Sequence, residues 1–300
     1  MTKPFWSGVF PAVTTQMKRD ESLDLDANAR HLEALIDSGV TGIIMLGSLG
    51  ENATLAPEEK RSVVRSALEA VSGRVPVLSG VVENSTAAAV QYARDMEKMG
   101  VQGLMVLPAM IYRADAAETV AHYRAVARAT ALPIVVYNNP LAYTVDITPE
   151  MFVELADVKN FVAIKESSGD VRRITDLRNL VGDRYALFCG VDDLLLESAV
   201  LGIDGWIAGM GLAFPMENQC LWELAMAGDY ERARAIYRWF TPLLHLDTPV
   251  KFVQYIKLAI QEAGLGAEWV RAPRRVLEGE ERARILQIIH RGLEGRPKLS

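Results

Sequence analysis

The chain has 300 residues, of which 50% are hydrophobic and 23% are charged, so it can bury a large core as one soluble unit. Its net charge of −6 argues against nucleic acid as a partner, because affinity for nucleic acid comes largely from basic patches. The N-terminus shows no charged segment followed by a long apolar run, and no apolar stretch is long enough to cross a bilayer, so we expect neither a secretory signal nor a membrane helix.

Short apolar runs alternate with longer amphipathic segments along the first two thirds of the chain. The runs are nearly continuous in branched apolar residues, which is typical of parallel strands covered on both faces. Eight predicted strands occupy residues 8–13, 42–46, 76–81, 103–107, 133–137, 161–165, 186–190 and 205–209. Predicted helices lie between them at 25–38, 57–71, 85–99, 116–129, 149–156, 171–180 and 193–201.

Eight strand–helix units in a row predict a (β/α)8 barrel over residues 1–227. An open doubly wound sheet is the alternative, but no G-x-G-x-x-G follows the first strand, which weakens its nucleotide-binding version. After the eighth strand the pattern is helical throughout, with segments at 215–227, 230–243, 250–263 and 278–292. The first of these closes the eighth unit. We expect the others to form a C-terminal helical region, 228–300, packed on the barrel.

The active site of such a barrel lies at the carboxyl ends of its strands, and one strand there ends in a lysine. Lys165 closes the apolar run in FVAIKESSGD, and the alternation of side chains places it on the face of Ala163, toward the barrel interior. Burial would lower the pKa of this amine and leave it free to attack a carbonyl carbon. The alternative is a lysine that reaches solvent and pairs with Glu166. The pattern alone leaves both open.

Other strand ends supply candidate partners. The loop Gly47-Ser48-Leu49-Gly50 could direct N–H groups toward a carboxylate, or it could be an ordinary turn. Tyr137 is either a proton-transfer group or a core tyrosine with a satisfied hydroxyl. Gly190 and Ile207, on strands seven and eight, are candidates for substrate contacts.

Several titratable residues receive a structural interpretation. Asp192 and Asp193 could cap the following helix. His245 and Asp247 form an H-x-D without a third ligand nearby, so we interpret them as structural or solvent-exposed and predict no metal site. Cys189 and Cys220 have no metal-binding spacing and suit a reducing cytoplasm, where we expect the protein to act.

Three motifs together resemble the dihydrodipicolinate synthase / N-acetylneuraminate lyase family. They are GSLGE at 47–51, YNNP at 137–140 and IKESSG at 164–169, and the likeness runs over residues 8–292. The resemblance implies a homotetramer or dimer that needs neither metal nor organic cofactor. It also implies that Lys165 forms an iminium with a 2-oxo acid and that Tyr137 relays protons. Ser48 and the N–H of Leu49 would hold the substrate carboxylate, with Gly47 beside them.

Departures from the family pattern disfavour the synthase reaction. The synthases carry an arginine soon after Y-N-x-P for a second carboxylate, whereas residues 141–144 here read LAYT. Met110 stands where the synthases have a second tyrosine, and Leu49 replaces a second hydroxyl.

One branch of the family matches more closely. GSLGEN, LPAMIY, YNNP, IKESSGD and the late RWFTPLLHLDT resemble deaminases of 4-hydroxyproline catabolism, which convert Δ1-pyrroline-4-hydroxy-2-carboxylate into 2,5-dioxopentanoate and ammonia. That substrate has one carboxylate, in agreement with the missing arginine. The alternatives are an aldolase or dehydratase of 2-keto-3-deoxy sugar acids, and a 2-oxo acid sensor that catalyses nothing.

Overall fold

A computed structural model describes residues 5–109 and 112–299 and contains a barrel of eight parallel strands. From the second strand onward each strand pairs with the next one along the chain, and the eighth pairs with the first. Ala12 and Ile44 close the ring between the first and second strands, where Val13 N–H donates to Ile44 O at 2.9 Å. The predicted barrel is therefore confirmed. Its strands are β1 Gly8–Val9, β2 Ile43–Met45, β3 Val77–Val81, β4 Gly103–Val106, β5 Ile134–Asn138, β6 Phe161–Glu166, β7 Ala186–Cys189 and β8 Gly205–Trp206.

Helices connect the strands and continue beyond the last one. The segments predicted as helical all contain helices, with ends that differ by a few residues from the prediction. The helices are α1 Leu25–Asp37, α2 Pro57–Val71, α3 Thr86–Met99, α4 Ala116–Arg128, α5 Pro140–Tyr143, α6 Pro149–Leu155, α7 Arg172–Val181, α8 Leu195–Val200, α9 Pro215–Met226, α10 Tyr230–Leu244, α11 Phe252–Glu262 and α12 Gly279–Glu294. The last three share one buried apolar cluster with the barrel, and the boundary at residue 227 stays a prediction.

Several element ends differ from the prediction, and two of the differences have clear local chemical causes. β1 ends at Val9 rather than at residue 13, because Pro11 has no N–H to donate, although Ala12 N–H still reaches Ala208 O at 2.9 Å. The short helix α5 was not predicted. It begins after Asn139, whose side chain accepts a hydrogen bond from Ala142 N–H at 3.0 Å and caps its first turn.

Aromatic rings fill the barrel interior, and they have room there because two adjoining residues are glycines. The rings of Phe10 and Phe188 meet edge to face with centroids 5.4 Å apart. A methyl group on Gly42 would lie 2.1 Å from the Phe10 ring, and one on Gly205 would lie 2.1 Å from the Phe188 ring. This packed floor leaves the carboxyl-terminal mouth as the place for a site.

One fully buried ion pair joins the barrel to the C-terminal helices. Lys257, on α11, donates to Glu51 Oε1 at 2.8 Å and to Thr15 O at 2.9 Å, and both charged side chains are 0% exposed. Glu51 also accepts from Arg271 N–H at 3.0 Å. Burial lowers the pKa of the Lys257 ammonium, and the Glu51 carboxylate opposes that shift. The pair fixes α11 against the loop that follows β2.

We expect Lys257→Met to lower the free energy of unfolding by about 3 kcal/mol, because it leaves the buried Glu51 carboxylate with Arg274, 3.8 Å away, as its remaining cation. The double variant Glu51→Gln/Lys257→Met should recover part of that loss, since no charge stays buried. Urea unfolding followed by circular dichroism measures both. A single variant as stable as the parent protein would contradict this account of the pair.

Candidate active site

Lys165 lies at the mouth of the barrel with its amine buried against a tyrosine. It pairs in register with Tyr137 of β5, and its Nζ lies 4.2 Å from the centroid of the Tyr137 ring. The residue is 6% exposed, and burial lowers the pKa of its amine. A buried amine with a lowered pKa is more often unprotonated near neutral pH, which is the form that attacks a carbonyl or imine carbon.

Glu166 is not a partner of this amine. Its carboxylate accepts from Ser168 N–H at 2.6 Å and from the side chain of Asn138 at 3.2 Å. Lys165 forms no ion pair with any carboxylate of the described residues. The alternative of a lysine that reaches solvent and pairs with its neighbour is therefore wrong.

Gly190, just after β7, provides the space that the lysine occupies. A methyl group there would lie 2.1 Å from Ser167 Oγ and 2.8 Å from Lys165 Cε. The Ser167 hydroxyl is buried and has no hydrogen-bond partner within residues 5–109 and 112–299. It lies close enough to the Tyr137 hydroxyl to lower the pKa of that group, and it can also bond to a ligand beside Lys165.

A second tyrosine completes the polar group on this side of the mouth. Tyr143, the last residue of α5, places its hydroxyl in hydrogen-bond contact with Ser48 Oγ. Its ring stands edge-on to the ring of Tyr137, with centroids 5.6 Å apart, and Tyr137 accepts a hydrogen bond from Asn139 at 3.1 Å. Burial raises the pKa of both tyrosines, which keeps their hydroxyls protonated at neutral pH.

The loop after β2 brings the predicted anion-binding residues to Tyr143. Asn52 holds this loop by donating to Leu46 O at 2.9 Å. Ser48 carries the hydroxyl that meets Tyr143, the Leu49 side chain is buried, and Gly47 lies against the methyl end of Met105.

The predicted contact Ile207 lies on the other side of the mouth. Its side chain is buried, and its N–H donates to Cys189 O at 2.9 Å. Met110 lies outside the described residues.

Asp192 does not cap the helix that follows it, contrary to the sequence interpretation. Its carboxylate accepts hydrogen bonds from Trp206 Nε1 at 2.9 Å, from Gly209 N–H at 3.1 Å and from Met210 N–H at 2.6 Å. Burial raises the pKa of this carboxyl group even though these bonds and the charge of Lys165 oppose the shift. Asp192 therefore fixes the chain that leaves β8.

Asp247 is a site residue that sequence reasoning missed. Its partner in the H-x-D, His245, is exposed and pairs with Asp193 at 2.7 Å, which agrees with the sequence interpretation. Asp247 instead turns toward the barrel, where a methyl group on Gly209 would lie 2.5 Å from its Oδ1. The charge of Asp247 raises the pKa of Lys165, and the charge of Lys165 lowers the pKa of Asp247. The sequence gives no distance between a residue after α10 and the end of β6, so only the fold reveals this approach.

The described part of the chain holds no group of three or more His, Cys, Asp or Glu that could bind a metal ion. It also holds no helix that is long and apolar enough to cross a membrane. The groups at this mouth that can take part in chemistry are an amine, two phenols, the hydroxyls of Ser48 and Ser167, and the carboxyl group of Asp247.

Comparison with known proteins gives a consistent result over nearly the whole chain. The profile of the dihydrodipicolinate synthetase family matches residues 5–291. A 4-hydroxy-tetrahydrodipicolinate synthase from Methanospirillum hungatei is 32% identical over 293 residues, which cover 95% of this chain and 99% of that protein.

Solved structures agree. A dihydrodipicolinate synthetase homologue from Pseudomonas aeruginosa is 33% identical with a TM-score of 0.90, covering 96% of this chain and 99% of its own. A prophage protein of the dihydrodipicolinic acid synthase family from E. coli K12, in complex with pyruvate, is 27% identical with a TM-score of 0.91 and covers 96% of this chain and 99% of its own.

Proposed function

Because this chain belongs to the dihydrodipicolinate synthetase family and is a lyase of the lysine-dependent class I aldolase type, we propose that it deaminates Δ1-pyrroline-4-hydroxy-2-carboxylate. Enzymes of this family work through a covalent Schiff base on a lysine and use no cofactor. Lys165 is the lysine that we assign to this step, since its amine is buried at the mouth and has a lowered pKa.

The position of Tyr143 supports this proposal most strongly, because Tyr143 lies in the stretch where the synthases have an arginine. Its hydroxyl contacts Ser48 rather than presenting a positive charge to a ligand. Lys165 itself supplies the positive charge that lowers the pKa values of Tyr143, Asp192 and Asp247. A substrate with a second carboxylate would find no bidentate partner here, so a monocarboxylate fits the site better.

The proposed reaction begins with attack of the Lys165 amine on C2 of the cyclic imine. Ring opening leaves an iminium on Lys165 and a primary amine on C5. The iminium acidifies the C3 protons, so loss of one proton gives an enamine, and expulsion of the 4-hydroxyl group gives an unsaturated iminium. Tautomerisation moves the double bond to the C5 nitrogen, and hydrolysis at C5 and C2 releases ammonia and 2,5-dioxopentanoate.

The tyrosines and the serine supply proton transfer and binding in this scheme. Tyr137 lies against the Lys165 amine, and we assign the C3 proton to its oxygen, which receives it as the phenol passes its own proton through Tyr143 and Ser48 to solvent. Tyr143 and Ser48 extend the path away from it, in place of the second tyrosine that the synthases carry. Ser48 and the N–H of Leu49 bind the substrate carboxylate, with Gly47, Gly190 and Ile207 shaping the space around it.

We further propose that the protein acts in the cytoplasm as a homotetramer or dimer. Leu141 is 79% exposed and Val250 is 98% exposed, and large exposed apolar side chains are of the kind that subunit contacts cover. This proposal rests mainly on family membership, and the site described above is built within one chain.

Product analysis tests the proposed activity. We expect the purified protein to release ammonia and 2,5-dioxopentanoate from Δ1-pyrroline-4-hydroxy-2-carboxylate, measured with a coupled ammonia assay and mass spectrometry. Release of pyruvate from a 2-keto-3-deoxy sugar acid, without ammonia from the pyrroline, would show the aldolase alternative instead. No turnover of either substrate would favour the remaining alternative, a 2-oxo acid sensor.

Two tyrosine variants test the proton path. Tyr143→Phe removes the hydroxyl that meets Ser48, so we expect turnover to fall by about 10²-fold, the range of a lost acid–base group. Tyr112→Phe is the matched control, since Tyr112 is exposed and stands two positions from Met110. If Tyr112→Phe loses activity and Tyr143→Phe keeps it, the proposed proton path through Tyr143 is wrong.

A further inference from the structure

The proposed reaction expels a hydroxyl group, and no residue assigned so far protonates it. We propose that Asp247 is a catalytic acid that donates its proton to the departing 4-hydroxyl oxygen. This inference rests on the proposed dehydration, and it concerns a residue from outside the eight strands of the barrel.

The position of Asp247 places a carboxyl group at the mouth without any bond to restrain it. It follows α10 and packs against Gly209, where a methyl group would lie 2.5 Å from Oδ1. Its carboxyl group forms no hydrogen bond within residues 5–109 and 112–299. A half-buried carboxyl group that lies at the barrel mouth without a hydrogen-bond partner is available to a substrate.

The neighbouring carboxyl group shows the contrast. Asp192 lies on the N–H side of the same glycine and accepts hydrogen bonds from Gly209, Met210 and Trp206. Those bonds occupy its oxygens and hold it in place as a structural group. Asp247, on the other side of Gly209, accepts no such hydrogen bonds from the described residues.

The surroundings of Asp247 favour its protonated form. Burial raises the pKa of this carboxyl group well above its usual value, and the nearby charge of Asp192 raises it further. The charge of Lys165 opposes the shift, but a lysine that has become an enamine nitrogen carries no charge. The enamine that expels the hydroxyl group would therefore face a protonated acid.

The two tyrosines are less suited to this step. Burial raises the pKa of Tyr137 and Tyr143 from an already high value, so they are weak acids. Both lie toward β5 and the loop after β2, whereas Asp247 lies beside the end of β8. The site thus presents a proton path and a separate acid from two directions around Lys165.

The dehydration moves a proton from C3 and electrons toward the departing oxygen. Loss of the C3 proton to the tyrosine path leaves an enamine, with a double bond between C2 and C3 and the Lys165 nitrogen attached to C2. The nitrogen lone pair then forms the C2–N double bond, the C2–C3 π electrons form the C3–C4 double bond, and the C4–O bond breaks with its electrons on oxygen. Asp247 gives its proton to that oxygen, and water leaves. The Asp247 carboxylate regains a proton from solvent before the next turnover.

The test uses a substrate whose leaving group needs no acid. We compare Δ1-pyrroline-4-hydroxy-2-carboxylate with its 4-fluoro analogue, which expels fluoride, in the parent protein, Asp247→Asn and Asp247→Ala. Asp176→Asn, which changes an exposed aspartate on α7, is the control for loss of one negative charge. Exchange of the pyruvate methyl protons in D2O, followed by NMR, reports whether Lys165 and Tyr137 still form the enamine.

We expect both Asp247 variants to lose about 10²-fold or more in turnover of the hydroxy substrate, the range of a lost general acid. Turnover of the fluoro analogue and exchange of pyruvate protons should stay at the parent level, and Asp176→Asn should be unchanged throughout.

Three results would overturn the inference, and they differ from one another. Unchanged turnover of the hydroxy substrate by either variant removes Asp247 from the reaction. Equal loss with both leaving groups makes it a structural residue. Absence of deamination by the parent protein removes the proposed function, and this inference falls with it.

Discussion

The ion pair between Lys257 and Glu51 sets the relative position of the parts that make the candidate active site. Glu51 immediately follows the loop that carries Ser48, and Lys257 lies on α11, which follows the segment that carries Asp247. Both side chains are fully buried, so separating them would leave an unpaired charge in an apolar interior. The pair thereby holds a loop of the barrel and a helical segment from the C-terminal region in one arrangement around Lys165.

Lys165 and Lys257 are both buried, and their surroundings show how environment decides the role of an amine. Lys257 donates to a carboxylate and to the carbonyl oxygen of Thr15, which is the environment of a structural ion pair. Lys165 has an aromatic face beside its amine and no ion-pair partner among the described residues. Burial lowers the pKa of both amines, but at Lys165 no bonded carboxylate compensates for the lost water. That difference makes Lys165 the amine suited to covalent chemistry.

Much of this arrangement could be predicted from the sequence because it follows from local patterns. Alternation along FVAIK turned Lys165 inward, and the repeated strands and helices placed it at a barrel mouth, as the structure shows. The strand pairing that brings Tyr137 level with Lys165 follows from neighbouring parallel strands ending together.

The remaining site residues depend on tertiary contacts that no local pattern encodes. Tyr143 reaches Ser48 through a four-residue helix whose cap, Asn139, also belongs to the YNNP motif. Asp247 was interpreted as structural or solvent-exposed because it lies in an H-x-D after a long helix, far in sequence from every strand. Its approach to Gly209 depends on how α10 and α11 pack on the barrel. The same contact explains why a glycine is needed just after β8.

Reductive trapping tests most directly whether Lys165 forms the covalent intermediate. The protein is incubated with Δ1-pyrroline-4-hydroxy-2-carboxylate or pyruvate, quenched with excess borohydride, digested and mapped by mass spectrometry. The account predicts a stable adduct on the peptide that contains Lys165, and none in Lys165→Ala. An adduct on another lysine, or a Lys165→Ala protein that still labels and turns over substrate, would contradict it.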